Sequence, residues 1–190
     1  THKSNTKTKQ IKGIKSYKNS QLIFIDTPGL YFNKGKSNRN FLSEIWNAVS
    51  EADFICLVID SSKTVSNKIY ELLEQINSKN KLKKRLVLVL NKIDIVKKES
   101  LLIKVKEINE KFEFDQTFMI SALKNDGIED LLDWLSRNLS ERKWLYSPNI
   151  ISTQSFDEQL NEKTREIILL RIHDEIPYNI EVLSDQIINI

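Results

Sequence analysis

Three short runs in this sequence combine residue types that could together hold a nucleoside phosphate. Asp26-Thr27-Pro28-Gly29 follows the apolar run Leu22–Ile25. A carboxylate there can hold Mg²⁺ through water, and a glycine N–H can approach a terminal phosphate without side-chain interference. Asn91-Lys92-Ile93-Asp94 follows Leu86–Leu90. A carboxylate accepting two hydrogen bonds reads the N1–H and exocyclic amine of guanine, which adenine cannot supply. The Lys92 stem can cover the base face, and the Asn91 amide can tie neighbouring loops to the purine. Ser121-Ala122-Leu123 follows Thr117–Ile120. A small residue lets its backbone N–H reach the guanine O6, and Ser121 can brace the Asp94 loop. Each run has an ordinary alternative. Pro-Gly marks turns by itself, Asn and Lys are abundant at 17 and 23 residues, and Ser-Ala suits a capping turn. Their order at three strand ends is what raises them, because ligands of an α/β sheet bind beyond the carboxyl ends of its strands.

The elements that must position these residues read as an alternation. Phe54–Ile59 and Leu86–Leu90 are continuous apolar runs of the kind expected in strands buried on both faces. Gln21–Ile25, a weaker strand around Ile11–Tyr17, and Thr117–Ile120 complete the set. Between them, Ile69, Leu72, Leu73 and Ile76 fall at helical spacing, as do Ile128, Leu131, Leu132 and Leu135. Leu101–Ile108 and Phe41–Ser50 carry further stripes. Strands alternating with helices predict a three-layer α/β domain with a mostly parallel sheet over residues 1–139. Residues 140–155 read as a linker containing Pro148, Phe156–Arg171 as one helix, and Pro177–Val182 as a strand after it.

Composition narrows the classes. The 190 residues hold 29 Lys and Arg against 26 Asp and Glu, a net charge of +3, with 40% hydrophobic residues, which is ordinary for a globular chain. One cysteine and two histidines exclude a disulfide framework and a His/Cys metal cluster, and fit a reducing, cytoplasmic compartment. Cys56 is expected in the core, Trp134 and Trp144 are expected to pack, and His173, near the end of the last helix, is not expected to be catalytic without a partner carboxylate in a cleft. Residues 1–20 carry six Lys and no acid, a segment that could attract RNA or simply be solvated. Glycine occurs only at positions 13, 29, 35 and 127, so no G-x-x-x-x-G-K-[ST] phosphate loop lies within these residues. A chain that opens on Thr1 is expected to be a fragment or a processed product.

Taken in order, Asp26-Thr27-Pro28-Gly29-Leu30, Asn91-Lys92-Ile93-Asp94 and Ser121-Ala122-Leu123 resemble the third, fourth and fifth signature elements of translation-factor-class GTPases. Arg171-Ile-His-Asp-Glu-Ile-Pro-Tyr178 and Trp144-Leu-Tyr-Ser-Pro148 are similar to the Era family of ribosome-assembly GTPases. The resemblance implies a P-loop-GTPase-like domain without its first strand, phosphate loop and first helix over 1–139. It also implies the start of an α+β, KH-type RNA-binding domain over 156–190, whose Gly-x-x-Gly loop has no counterpart before Ile190. It implies GTP and GDP as substrate and product, with the three motifs as binding residues. Mg²⁺ would be held by Asp26 and by Thr8, with Thr6 as the alternative in Asn5-Thr6-Lys7-Thr8-Lys9. Leu30 stands where Ras-like enzymes place a water-orienting Gln, so no general base is assigned. The segments Thr6–Thr8 and Gly29–Arg39 would form the GTP-dependent switch. The implied partners are small-subunit (16S) ribosomal RNA and the 30S subunit, with peripheral inner-membrane contact and a monomeric state by the same resemblance. The alternative is a non-catalytic, degenerate GTPase-fold interaction protein. A tandem GTPase of the Der type is disfavoured by the absence of a second repeat.

Overall fold

A computed structural model describes residues 10–27, 38–79, 84–171 and 182–184. The chain opens on a hairpin, β1 (Lys12–Tyr17) and β2 (Ser20–Ile25). These strands pair antiparallel, with Tyr17 opposite Ser20. Two residues, Lys18 and Asn19, cannot carry a parallel crossover, and Lys18 adopts φ 51° to close the turn. The helices and strands that follow alternate as α1 (Asn38–Glu51), β3 (Phe54–Asp60), α2 (Asn67–Lys79), β4 (Arg85–Asn91), α3 (Lys98–Asn109), β5 (Gln116–Met119), α4 (Ile128–Asn138) and α5 (Phe156–Arg171). The later strands form a parallel sheet in the order β3-β4-β5. The sequence-based expectation of a mostly parallel α/β fold therefore holds for these three strands, while the opening pair forms a separate antiparallel sheet.

Strand β4 is the spine. Leu86 to Leu90 are all buried because helices cover both of its faces. Val87 and Val89 pack with Phe118, Leu131 and Leu135 on the α4 side, and Leu22 of the hairpin joins them. Leu88 and Leu90 pack with Ile59 and Ile108 on the other side, and Leu86 packs with Leu72 and Ile76 of α2. Burying side chains of this size stabilises the domain by about 1.5–3 kcal/mol each. Strand β3 departs from expectation. It reads as equally apolar, but it lies at the end of the strand order, and only Ile59 is fully covered, while Val58 is 61% exposed. Period-two alternation puts Cys56 on the same open face as Val58. Cys56 is thus exposed rather than core. Even so, the protein around its thiol pushes the pKa up to about 11, so it stays protonated.

Trp134 packs edge-on against Phe54 and Phe118, with ring centroids 5.4 and 6.0 Å away. Trp144, by contrast, is exposed, because the segment that carries it is held by its backbone rather than by its ring. The Gln21 side chain accepts the N–H groups of Leu145 and Tyr146 and donates to the Tyr146 carbonyl. Beyond it, Ile14 N–H donates to the Ile151 carbonyl, and Thr153 N–H donates to that of Lys12. Ser155 and Glu158 then open α5 with reciprocal side-chain-to-backbone bonds of 3.2 and 2.7 Å, a capping box. No described helix is long and apolar enough to cross a membrane. The strand expected over Pro177–Val182, and His173, lie outside the described residues apart from Val182.

One carboxylate gathers several hairpin contacts onto α4, beside the 2.9 Å bond from the Ser136 hydroxyl to that of Ser20. Asp133 accepts from the Tyr17 hydroxyl at 2.7 Å, from Lys18 Nζ, and from Arg137 at 3.3 Å. Lys18 first and the Tyr17 hydroxyl second hold the Asp133 carboxyl below its ordinary range. Its contribution is complete above an unfolded pKa of about 3.9 and disappears as pH falls through the lower folded value. Melting temperatures of wild type and Asp133→Asn should therefore differ at pH 6 and converge toward pH 2. A gap that stays constant with pH would show that this carboxylate does not hold the hairpin.

Candidate functional site

The second and third motifs meet where β4 and β5 end. Parallel pairing carries Leu90 beside Met119, and Ile120 N–H continues the ladder to the Leu90 carbonyl at 2.8 Å. The chain then turns sharply at Lys92, whose φ of 66° is uncommon for a residue with a side chain. That conformation costs on the order of 1 kcal/mol and persists only where surroundings enforce it. The Asn91 side-chain oxygen accepts Lys92 N–H at 2.7 Å, and Ile93 N–H donates to the Ile120 carbonyl at 3.2 Å. The same Asn91 oxygen also accepts Ala122 N–H at 3.0 Å, so one amide ties both loops together.

A second tie lies beside it. Ser121 is fully buried, and its hydroxyl donates to Asp94 Oδ1 at 2.7 Å. This is the bracing contact expected of Ser121. It lowers the Asp94 pKa, foremost through the hydroxyl bond, so the group is a carboxylate at neutral pH. A carboxylate offers about four acceptor positions; Ser121 uses one, and the remainder can take two donors from one base edge. Ser121 is itself held by a tight turn, exchanging backbone bonds with Asp126 at 3.0 and 3.1 Å. Gly127 closes that turn at φ 70°, where a Cβ would come within 2.5 Å of the Met119 carbonyl oxygen. Only glycine fits there without moving the strand end that carries Ser121. Leu123 projects from the loop and is exposed.

The first motif is only partly described. Asp26 and Thr27 are exposed just beyond β2, with Asp26 N–H on the Ile11 carbonyl at 3.1 Å. Pro28, Gly29, Leu30, Thr6 and Thr8 lie outside the described residues. Among the described residues, the bonds that join the second and third motifs do not extend to Asp26, and no cluster of three acidic, His or Cys groups is present. An accessible carboxylate such as that of Asp26 suits Mg²⁺, which keeps several waters and takes one or two carboxylates beside substrate phosphates. An open cleft of about 1000 Å³ lies at the opposite end of β4, lined by residues such as Asn77, Leu86 and Phe114, and includes none of the motif residues.

Two participants escape a motif-based reading. Asp60 ends β3 directly beside Asn91 and accepts Lys92 Nζ at 2.9 Å. Asp126-Gly127 shapes the Ser121 turn. Asp-Gly is a turn signal in any sequence, and the rule that singled out Asp26 and Asp94, a carboxylate at the end of an apolar run, applies equally to Asp60.

Comparison with known proteins agrees with this geometry. Residues 1–141 match the family model of the elongation factor Tu GTP binding domain. A curated relative, GTPase Era of Agrobacterium fabrum, is 37% identical over 186 residues, covering 98% of this chain and 58% of the relative. GTPase Era of Dinoroseobacter shibae is 34% identical, covering 97% of this chain and 60% of the relative. This chain thus spans rather more than half the length of these relatives. Among solved structures, Era in complex with MgGDPNP and nucleotides 1506–1542 of 16S ribosomal RNA aligns with a TM-score of 0.72 at 29% identity, over 88% of this chain and 57% of that one. A variant of Aquifex aeolicus Era bound to GDP and AlF4⁻ aligns with a TM-score of 0.71 at 28% identity, over the same shares. The alternative of a degenerate interaction protein finds no support in these matches: the family model and the curated relatives are named for GTP binding or as GTPases, and both solved structures hold a guanine nucleotide.

Proposed function

The chain belongs to the family of the elongation factor Tu GTP-binding domain, on its Era branch, and from that premise we propose that its protein binds and hydrolyses GTP and acts on the small ribosomal subunit. The observation that carries the guanine half of this reading is the double tie between the two loops, Asn91 to Ala122 and Asp94 to Ser121. It fixes an ionised carboxylate and the loop beside it before any ligand arrives. Asp94 would accept the N1–H and exocyclic amine of guanine, Lys92 would lie along the base, and Ser121-Ala122-Leu123 would pass its O6, with the Leu123 N–H facing it while those of Ser121 and Ala122 donate to Asp126 and Asn91. Ile93 keeps the spacing between Lys92 and Asp94.

At the phosphate end, Asp26 and Thr8, or Thr6 in its place, would hold Mg²⁺, which when bound neutralises charge on the β- and γ-phosphates. Thr27-Pro28-Gly29-Leu30 would bring backbone N–H groups to the γ-phosphate. There they stabilise the charge that spreads as water adds to phosphorus and the bond to the β,γ-bridging oxygen breaks. Leu30 cannot orient that water, so we assign no general base to this chain and expect slow intrinsic hydrolysis, accelerated by a partner.

The solved Era complex with 16S ribosomal RNA supports rRNA as a partner to test; the 30S subunit and a role in 16S rRNA maturation belong to the same proposal. Within this reading 1–139 is the GTPase domain, 140–155 the linker and 156–190 the start of a KH-type domain, in a monomeric, cytoplasmic protein with peripheral membrane contact. Calorimetric titration of the full-length protein with GDP, GTP and ATP in Mg²⁺, followed by phosphate release with and without 30S subunits, tests it. Tight guanine nucleotide binding with negligible ATP binding is expected. Equal affinity for ATP and GTP would refute the reading.

A further inference from the structure

Asp60 lies outside all three motifs, yet its carboxylate is among the most firmly placed beside them. Its Oδ1 accepts the Ser62 N–H at 3.0 Å and the Ser62 hydroxyl at 2.6 Å. Its Oδ2 accepts Lys92 Nζ at 2.9 Å, with Lys63 Nζ at 3.9 Å. The loop that carries it is pinned from two sides. Ser61 N–H donates to the Asn91 carbonyl at 2.9 Å, and Lys104 of α3 donates to the Ser61 and Lys63 carbonyls at 2.6 Å each. The Asp60 side chain is only 19% exposed.

An ordinary surface ion pair contributes little, because two free side chains must be ordered to make it. Here one partner is already fixed and the backbone of the other is locked at φ 66°, so the remaining freedom is that of the Lys92 stem. We propose that Asp60 is a positioning residue for the nucleotide. By holding the Lys92 ammonium at its far end, it stretches the four-carbon stem into the place where it covers the guanine face. This rests on the guanine-binding reading above and adds to it a residue that acts through Lys92 rather than on the ligand. A lysine with neither end held would be ordered only when the base binds, and affinity would fall by the rotamer freedom lost at that moment.

The test is release and titration of a fluorescent GDP from the full-length protein carrying Asp60→Asn, Lys92→Met, both together, or Asp94→Asn. Asp60→Asn keeps the shape and the Ser62 bonds but removes the charge. It should weaken GDP and IDP equally, by about tenfold, as expected for one charge-assisted hydrogen bond, with the melting temperature unchanged. In the Lys92→Met background, which keeps an apolar stem, the same substitution should cause no further loss, the non-additivity of residues that act as one. Equal losses in both backgrounds, or a loss that tracks a lowered melting temperature, would make Asp60 a structural residue and overturn the proposal. Wild-type affinity in Asp60→Asn alongside lost affinity in Asp94→Asn would dismiss Asp60 alone. Unchanged affinity in Asp94→Asn would bring down the guanine reading and this inference with it.

Discussion

An Asp94→Asn protein is expected to lose at least 10²-fold in affinity for GDP and GTP and to gain affinity for xanthosine nucleotides. The magnitude follows from the two hydrogen bonds at stake. Each joins an ionised acceptor to an N–H in a partly enclosed site and contributes about 1.5–3 kcal/mol, and about 1.4 kcal/mol corresponds to tenfold. The direction follows from chemistry. An amide presents one acceptor and one donor where the carboxylate presented two acceptors, so the exocyclic amine of guanine meets an N–H. Xanthine has a carbonyl at that position and accepts what guanine cannot. Ser121 makes the experiment clean, since its hydroxyl donates to Asp94 Oδ1 and can donate equally to an amide oxygen, leaving the loop in place. Calorimetry with GDP and XDP on both proteins reads the outcome, and an unchanged GDP affinity removes Asp94 from the site.

How much of this was legible beforehand depends on how far apart the interacting residues lie. Local pattern gives β4 and the helices flanking it: five consecutive apolar residues, buried on both faces, as a parallel strand requires. The motif residues are legible for the same reason, since each sits at the end of a run the eye already finds. Strand β3 shows the limit. Phe54–Ile59 is as apolar as Leu86–Leu90, but burial depends on what lies against each face, and Val58 and Cys56 meet nothing among the described residues that covers them as α4 covers Val87 and Val89. The contacts that hold the pieces together were illegible because they join distant positions. Asp60 meets Lys92 across 32 residues, and Tyr17 meets Asp133 across 116. A lone aspartate after a strand looks like any solvated turn residue until its partner is placed.

The site stands on the core directly beneath it, which makes Leu90→Ala the most damaging single change away from the chemistry. Leu90 is 0% exposed and packs with Ile59, Leu88 and Ile108. Truncation removes three carbons and leaves a cavity that this two-sided packing cannot collapse, a loss of about 3–4 kcal/mol and on the order of 10 °C in melting temperature for a domain of this size. The same residue is followed at once by Asn91, and its carbonyl accepts the N–H of Ile120, next to Ser121. A shift of the strand end therefore reaches both loop ties together. Nucleotide affinity should fall in the variant even at temperatures where it remains folded, and added GDP should restore part of the lost stability by mass action. Leu102→Ala is the control, because Leu102 lies on α3 and is 61% exposed; there the change should stay within about 0.5 kcal/mol and leave binding untouched. Chemical denaturation of both variants, with and without GDP, decides the matter. Equal small effects from the two substitutions would mean that β4 is not the spine on which the guanine loops are built.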